Sequence, residues 1–470
     1  MRGLQWIAVG VVAAIGWPMQ GRLAAQAPSP AAAAQALATA ERDYQREMDE
    51  LGIKELRPPV GQGPHSLAPV NYDESKANAY PTLPDPLTLK DGKRVTTAKE
   101  WWGVRRPEIE ELFSREIVGR VPANAPKVKW VVLSAAPLVV AGVPALVKRV
   151  EGEVDNSAWP AITVKMEMVL VTPLHAGGRV PVIMQFAFAN EWAAALPGMD
   201  QPLKPALPGA DGPPWQQQVL ERGWGYALLL PTSLQADDHA QLEEGVIGLA
   251  DKGQPRKLDA WGCLRAWAWG ASRAMDYLET DKNVDAKQVG LEGHSRFGKA
   301  ALVAMAYDRR FAVAYISSSG EGGAKLYRHN YGEDLTNLAG VGEFHWVDGN
   351  YLRYAGPLTT GDLPVDSHEL IALCAPRPVF IGGGDSAPNK DGWADPTGMF
   401  LAEVAASPVY ELLGKKGVGA TAMPAIGTAL IDGELGFRQH PFGHTPGPNW
   451  PAFLEFASHY LHAPGGKDRD

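Results

Sequence analysis

The sequence predicts an α/β protein built on a doubly wound, mainly parallel sheet in a three-layer sandwich. Short, near-continuous apolar runs recur at 180–188, 226–230, 289–292, 313–317 and 379–382, as expected for strands covered on both faces. Segments with helical spacing lie between several of these runs, and such alternation implies right-handed crossovers that return each strand parallel to the last. The composition is that of an ordinary soluble globular chain, with 470 residues, 45% hydrophobic and 21% charged, and it supplies enough apolar surface for a large core. No repeat at solenoid periods interrupts the pattern.

Residues 1–27 read as a secretory signal. Arg2 gives the positive start, an apolar run covers 7–15, and Ala25-Gln26-Ala27 offers a small-x-small cleavage site. Pro18, Gln20 and Arg22 cut that run short of the ~20 residues that span a bilayer, which argues against the alternative of a membrane anchor. The chain is therefore expected to be secreted or periplasmic and free of the membrane after signal removal. Residues 28–98, first Ala-rich and then rich in Pro58, Pro59, Pro64, Pro69, Pro81, Pro84 and Pro86, read as a tail and N-terminal wrap without regular helix. The folded α/β domain is expected over 99–464. Its first helix follows Pro107, a residue suited to a first helical turn. Alternation at 128–133, 147–154 and 162–171 then predicts an antiparallel start to the sheet.

The clearest helix covers 259–279, where Leu264, Ala268, Ala271, Met275 and Leu278 follow steps of four and three. A strand at 435–439 and a closing helix at 450–461 complete the domain. Cys263 and Cys374 are too few for a disulfide framework and too far apart for a CxxC motif, and they read as buried small hydrophobes whose pairing is left open. Lys+Arg 44 against Asp+Glu 53 gives a net charge of −9, which repels phosphate backbones and argues against a nucleic-acid binder. A monomer is expected.

The chemistry concentrates at Gly290-Leu291-Glu292-Gly293-His294-Ser295-Arg296-Phe297-Gly298-Lys299-Ala300. A strand ends at Glu292 and a helix continues from Gly298, so Ser295 falls on a sharp strand-to-helix turn that lifts its hydroxyl above the carboxyl edge of the sheet. The usual G-x-S-x-G places glycine two residues after serine, whereas Phe297 stands there and Gly298 follows. A serine hydroxyl needs a base, and the base needs a third group to hold its tautomer. In the α/β-hydrolase fold these follow in the order serine, acid, histidine.

Of the histidines late enough in the chain, His459 and His462 fall in or at the end of the last helix, leaving the loop His440-Pro441-Phe442-Gly443-His444. Gly443 lets the backbone turn at His444, the favoured base. His440 and His444 have the spacing of zinc ligands on a helix, but Pro441 and Gly443 argue against helix, so no metal and no cofactor are expected. Asp385 and Asp391 both lie in the loop after the 379–382 strand and remain equal candidates for the acid, while Asp395 before Pro396 reads as a helix cap.

These residues, with Arg105-Arg106-Pro107, Asp259-Ala260-Trp261-Gly262, Ser319-Gly320-Glu321-Gly322-Gly323, Ala375-Pro376-Arg377-Pro378, Trp393-Ala394-Asp395-Pro396 and Gly443-His444-Thr445, make the chain resemble the glucuronoyl esterases, carbohydrate esterase family 15, over roughly 101–461. The resemblance implies cleavage of the ester between (4-O-methyl-)glucuronic acid side chains of glucuronoxylan and lignin alcohols. It implies Ser295 as nucleophile, His444 as base, Arg296 beside the oxyanion, and Lys299, Glu343 and Trp393 as contacts to the sugar. Many members carry a glutamate as triad acid where this chain has Ser318. Relatives with a second acid two residues before the tryptophan point to Asp391, with Asp385 in reserve. Two other readings share these residues: an acetyl xylan esterase, and an exported carbohydrate-binding homologue inactivated at Ser318.

Overall fold

The computed structural model describes residues 30–61, 68–194 and 213–465, and the expected signal segment lies outside them. Where a wrap without regular helix was expected, the chain opens with α1 (Pro30–Glu50). Alanine is the best helix former, and after Pro30 no proline occurs before Pro58. The helix is docked on the body. Glu47 is fully buried, and its two carboxylate oxygens accept from Nε and Nη2 of Arg256 at 3.1 and 3.2 Å. The next helix, α2 (Arg106–Glu116), has Pro107 in its first turn and buries Ile109 and Phe113.

The sheet begins with an antiparallel meander of β1 (Val128–Val140), β2 (Val143–Val154) and β3 (Lys165–Pro173). β1 runs beyond the expected 128–133 because it is an edge strand paired only to β2, so its far half is largely exposed and lacks a core-facing pattern. Ala141 and Gly142, both at positive φ, make the two-residue turn. The remaining strands are β4 (Val180–Phe186), β5 (Gly225–Leu230), β6 (Val284–His294), β7 (Val313–Ser317), β8 (Val379–Gly383), β9 (Ala429–Leu430) and β10 (Leu435–Gln439).

The ten strands run in the order β1-β2-β3-β5-β4-β6-β7-β8-β10-β9, and every pair from β5 to β10 is parallel. This is an α/β-hydrolase sheet with antiparallel strands at both edges, β1-β2-β3 at one and β9 at the other. Neighbouring strand residues point to opposite faces. Met184, Leu291, Ile316 and Ile381 join one core with α3 (Cys263–Thr280), α4 (Arg296–Tyr307), α5 (Ser367–Cys374) and α6 (Pro396–Leu412). Ile183, Tyr315 and Phe380 join a second core with 215–221 and α7 (Trp450–Ala457). The last helix ends at Ala457, short of the expected Leu461. Cys263 and Cys374 are buried free thiols. Among the described residues no helix is long and apolar enough to cross a membrane.

β6, β7, β8 and β10 are consecutive in the sheet. Their carboxyl ends bring the segments after His294, Ser317, Gly383 and Gln439 to one rim, where open α/β sheets bind ligands.

Candidate active site

Ser295 has φ 57° and ψ −131°, a strained conformation for a residue with a Cβ, and its N–H donates to Ser317 O across the sheet at 2.9 Å. Two glycines make room for the turn. A Cβ on Gly293 would lie 2.2 Å from Phe297 O, and one on Gly298 would lie 2.9 Å from Ser317 O. The helix thus passes β7 at Gly298 with no room for a side chain, which accounts for glycine one place later than usual. Phe297 instead packs its ring between Phe188 and Trp267, with centroids at 4.7 and 5.2 Å. Ser295 precedes α4, where the N–H groups of Gly298 and Lys299 donate to Ser295 O at 2.8 and 3.1 Å, while the N–H of Arg296, at the first helical position, has no acceptor within the helix.

His444 arrives from the loop after β10, and its ring lies 4.4 Å, centroid to centroid, from that of His294, the residue before Ser295. His444 Nδ1 is 2.7 Å from Asp391 Oδ1. Asp391 is fully buried, and its other oxygen accepts from Gly384 N–H at 2.6 Å and from the Ser318 hydroxyl at 2.7 Å. Burial alone would raise this carboxyl, but His444, the Gly384 N–H and the Ser318 hydroxyl together hold it below the usual aspartate value. An ionised carboxylate only accepts, so Nδ1 carries a proton, and in the neutral imidazole the lone pair then falls on Nε2. Burial, followed by the neighbouring His444, pushes the His294 imidazole down to about 3, so it stays neutral beside His444.

Asp385, the other candidate acid, turns away. It accepts from Lys390 Nζ at 2.7 Å and from Ala387 N–H at 2.9 Å. Asp395 caps α6 and contacts His329. His440 braces the loop, with Nε2 2.9 Å from Thr445 O and Nδ1 accepting from Phe442 N–H.

Beside the elbow, Arg296 points to Asp237, in the segment after β5, with Nη1 at 2.5 Å from Oδ2. Its guanidinium lies 5.3 Å from the Trp346 ring, and its Nε has no partner among the described residues. Lys299 is buried, not solvated. Its ammonium donates to Glu333 Oε2 at 2.8 Å and Glu321 O at 2.6 Å, leaving one donor, and lies 5.6 Å from the same Trp346 ring. Glu333 N–H donates to Trp393 O at 2.9 Å, so one carboxylate residue ties the lysine to the tryptophan segment. Trp393 lines a cavity of about 560 Å³ with Val70, Tyr72 and Asn389. Glu343 is half-buried with one oxygen unpartnered among the described residues, and burial, then the nearby Glu333, outweighs Lys299 and Arg296 to push its carboxyl up to about 7.

The family model "Glucuronyl esterase, fungi" matches residues 256–414. A CE15 glucuronoyl esterase from Teredinibacter turnerae superposes with a TM-score of 0.80 at 43% identity, covering 89% of this chain and 99% of that one. The carbohydrate esterase MZ0003, from an unknown prokaryotic organism, is 34% identical over 415 residues, 83% of this chain and 92% of that protein. The chain belongs to carbohydrate esterase family 15, the glucuronoyl esterases. The chain is also 29% identical over 339 residues to the 4-O-methyl-glucuronoyl methylesterase of Podospora anserina, with 69% of this chain aligned to 59% of that protein.

As a glucuronoyl esterase the protein is a carboxylic ester hydrolase. Sequence reasoning alone left out several residues of this esterase's rim. Asp237 and Glu333 were not singled out, although each occurs in an acidic cluster, 237–238 and 333–334, outside regular structure. His294 gave no signal beyond its place next to the serine. Ser318 was noted only as the absence of an acid, and its hydrogen bond to the acid present can be read only from the structure.

Proposed function

We propose that this esterase cleaves the ester joining (4-O-methyl-)glucuronic acid branches of glucuronoxylan to lignin alcohols, by acyl transfer through Ser295, His444 and Asp391. The observation that carries the reading is the Asp391–His444 contact of 2.7 Å at the carboxyl edge, beside the strained Ser295 turn. Names of two relatives, a CE15 glucuronoyl esterase and a 4-O-methyl-glucuronoyl methylesterase, support the acyl group.

Ser295 Oγ adds to the ester carbonyl while His444 Nε2 takes its proton. The resulting imidazolium is stabilised by ionised Asp391. The oxyanion forms against the Arg296 N–H, at the positive end of α4, and the Arg296 guanidinium. His444 then hands its proton to the departing alcohol oxygen, leaving a glucuronoyl-serine. Water attacks this acyl group, gives a proton to His444, and the proton returns to Ser295 as glucuronate leaves. Lys299, Glu343 and Trp393 hold the sugar hydroxyls and ring. Arg2, the apolar run and Ala25-Gln26-Ala27 support export of the enzyme to where plant cell-wall polymer is met.

Comparing turnover of the benzyl ester of glucuronic acid with release of acetate from acetylated xylan tests the substrate. Preference for the glucuronoyl ester is expected. A higher kcat/KM on acetylated xylan overturns the acyl assignment, and binding of glucuronoxylan without hydrolysis of either overturns catalysis.

A further inference from the structure

Resting on the reading of Arg296 as the group beside the oxyanion, we infer that Asp237 is the positioning residue that aims this arginine and holds the aromatic wall behind it. Arg296 sits at the first position of α4 on a long side chain that is 40% exposed, so nothing in its helix fixes where the guanidinium points. Asp237 supplies that restraint from another element, the segment after β5. Its Oδ2 accepts from Arg296 Nη1. Its Oδ1 accepts from Trp346 Nε1 at 2.7 Å and from His345 Nε2 at 3.2 Å. The carboxylate therefore joins a residue of α4 to two residues of the 344–346 turn.

The Trp346 ring, held by its N–H, then lies against both cations of the site, 5.3 Å from the Arg296 guanidinium carbon and 5.6 Å from Lys299 Nζ. With Nη1 bound to Asp237, Nη2 on the other edge of the guanidinium is the donor left for a developing negative charge, while Nε beside it is buried without a partner among the described residues. Donors aligned before the reaction need no reorganisation as charge develops, which lowers the barrier more than it tightens substrate binding. Burial would raise the Asp237 carboxyl, but the bonds from His345 and Trp346 and the charge of Arg296 bring it down to about 2. Burial also lowers the His345 imidazole despite its bond to Asp237. The neutral ring donates through Nε2 and leaves the single negative charge to face Arg296.

A double-mutant cycle between Asp237→Asn and Arg296→Ala, read as kcat and KM on the benzyl ester of glucuronic acid, tests this. Asparagine keeps an acceptor for Trp346 and His345 and removes the charge that holds Arg296. Alone it should lower kcat by about 10- to 100-fold with KM changed less than about threefold. In the Arg296→Ala background it should change kcat by less than about twofold. Equal losses in both backgrounds, or a loss confined to KM, overturn the inference while leaving the arginine's role standing. An Arg296→Ala variant with full activity overturns the arginine's role and the inference with it. If Asp237→Asn does not fold, Asp237→Glu keeps the charge and shifts it by one methylene. A kcat loss that disappears in the Arg296→Ala background supports the inference, and any additive loss overturns it.

Discussion

An imidazole is a useful base only while its second nitrogen stays protonated and oriented, and in the proposed mechanism that condition falls on one buried carboxylate. Asp391 meets His444 with one oxygen and is satisfied at the other by Gly384 N–H and Ser318. Asparagine there can offer its amide N–H to Nδ1 and so favour the wrong tautomer. Asp391→Asn should lower kcat by about 10³- to 10⁴-fold, whereas Asp385→Asn, whose carboxylate faces Lys390, should stay within about twofold of wild type. Steady-state kinetics on the benzyl ester of glucuronic acid decides between them, and near-normal activity of the first variant would reject Asp391 as the acid. Glu343 makes a second residue-scale case. Its folded value near 7 lies above the ordinary ~4.3 of an unfolded glutamate. The folded state therefore holds more protons between those values, and stability falls as pH rises through this window, levelling off above it. Glu343→Gln removes that loss, so its stability relative to wild type should rise from pH 4.5 to pH 8 in urea denaturation. An offset independent of pH would contradict the assignment.

At the scale of elements, α1 does more than a tail can. Its Glu47 is paired in full burial with Arg256, and Arg256 Nη1 in turn donates to Val347 O at 2.7 Å, immediately after Trp346. The helix thereby braces the turn that carries Glu343, His345 and Trp346. Glu47→Ala would leave a buried guanidinium uncompensated and should cost about 3–5 kcal/mol of stability, measured by denaturant unfolding. A cost under about 1 kcal/mol would show that α1 is merely laid on the surface. The sequence pointed away from this helix because the prolines of 58–86 dominate 28–98 and hide a short stripe of Ala40, Tyr44 and Met48, at steps of four, which is the face the helix docks. The doubly covered strands were legible, with 313–317 read to the residue, because burial on both faces leaves a near-continuous apolar run; 435–439, also read to the residue, ends in Arg438 and Gln439 and has no such run. β1 was cut short because its outer half faces solvent.

Across the whole molecule, legibility followed distance along the chain. Ser295 announced itself through a contiguous motif, and His444 through its order after the strands. The acid stayed open between two aspartates until a resemblance favoured Asp391, since no local pattern says which carboxylate reaches an imidazole 53 residues further on. Asp237 and Glu333 were invisible for a like reason. Their partners lie 59 and 34 residues away, brought near only when the parallel strands align their carboxyl ends. The sheet order is therefore what makes the site, and the esterase reading depends on the rim activating one hydroxyl among many. Reaction of the full chain with a fluorophosphonate, followed by intact-mass and peptide mapping, tests that activation most directly. A single adduct on Ser295, absent from Ser295→Ala and slowed at least about 100-fold in His444→Ala, is the expected result. Labelling at another residue, or Ser295 labelling at an unchanged rate without His444, would contradict it.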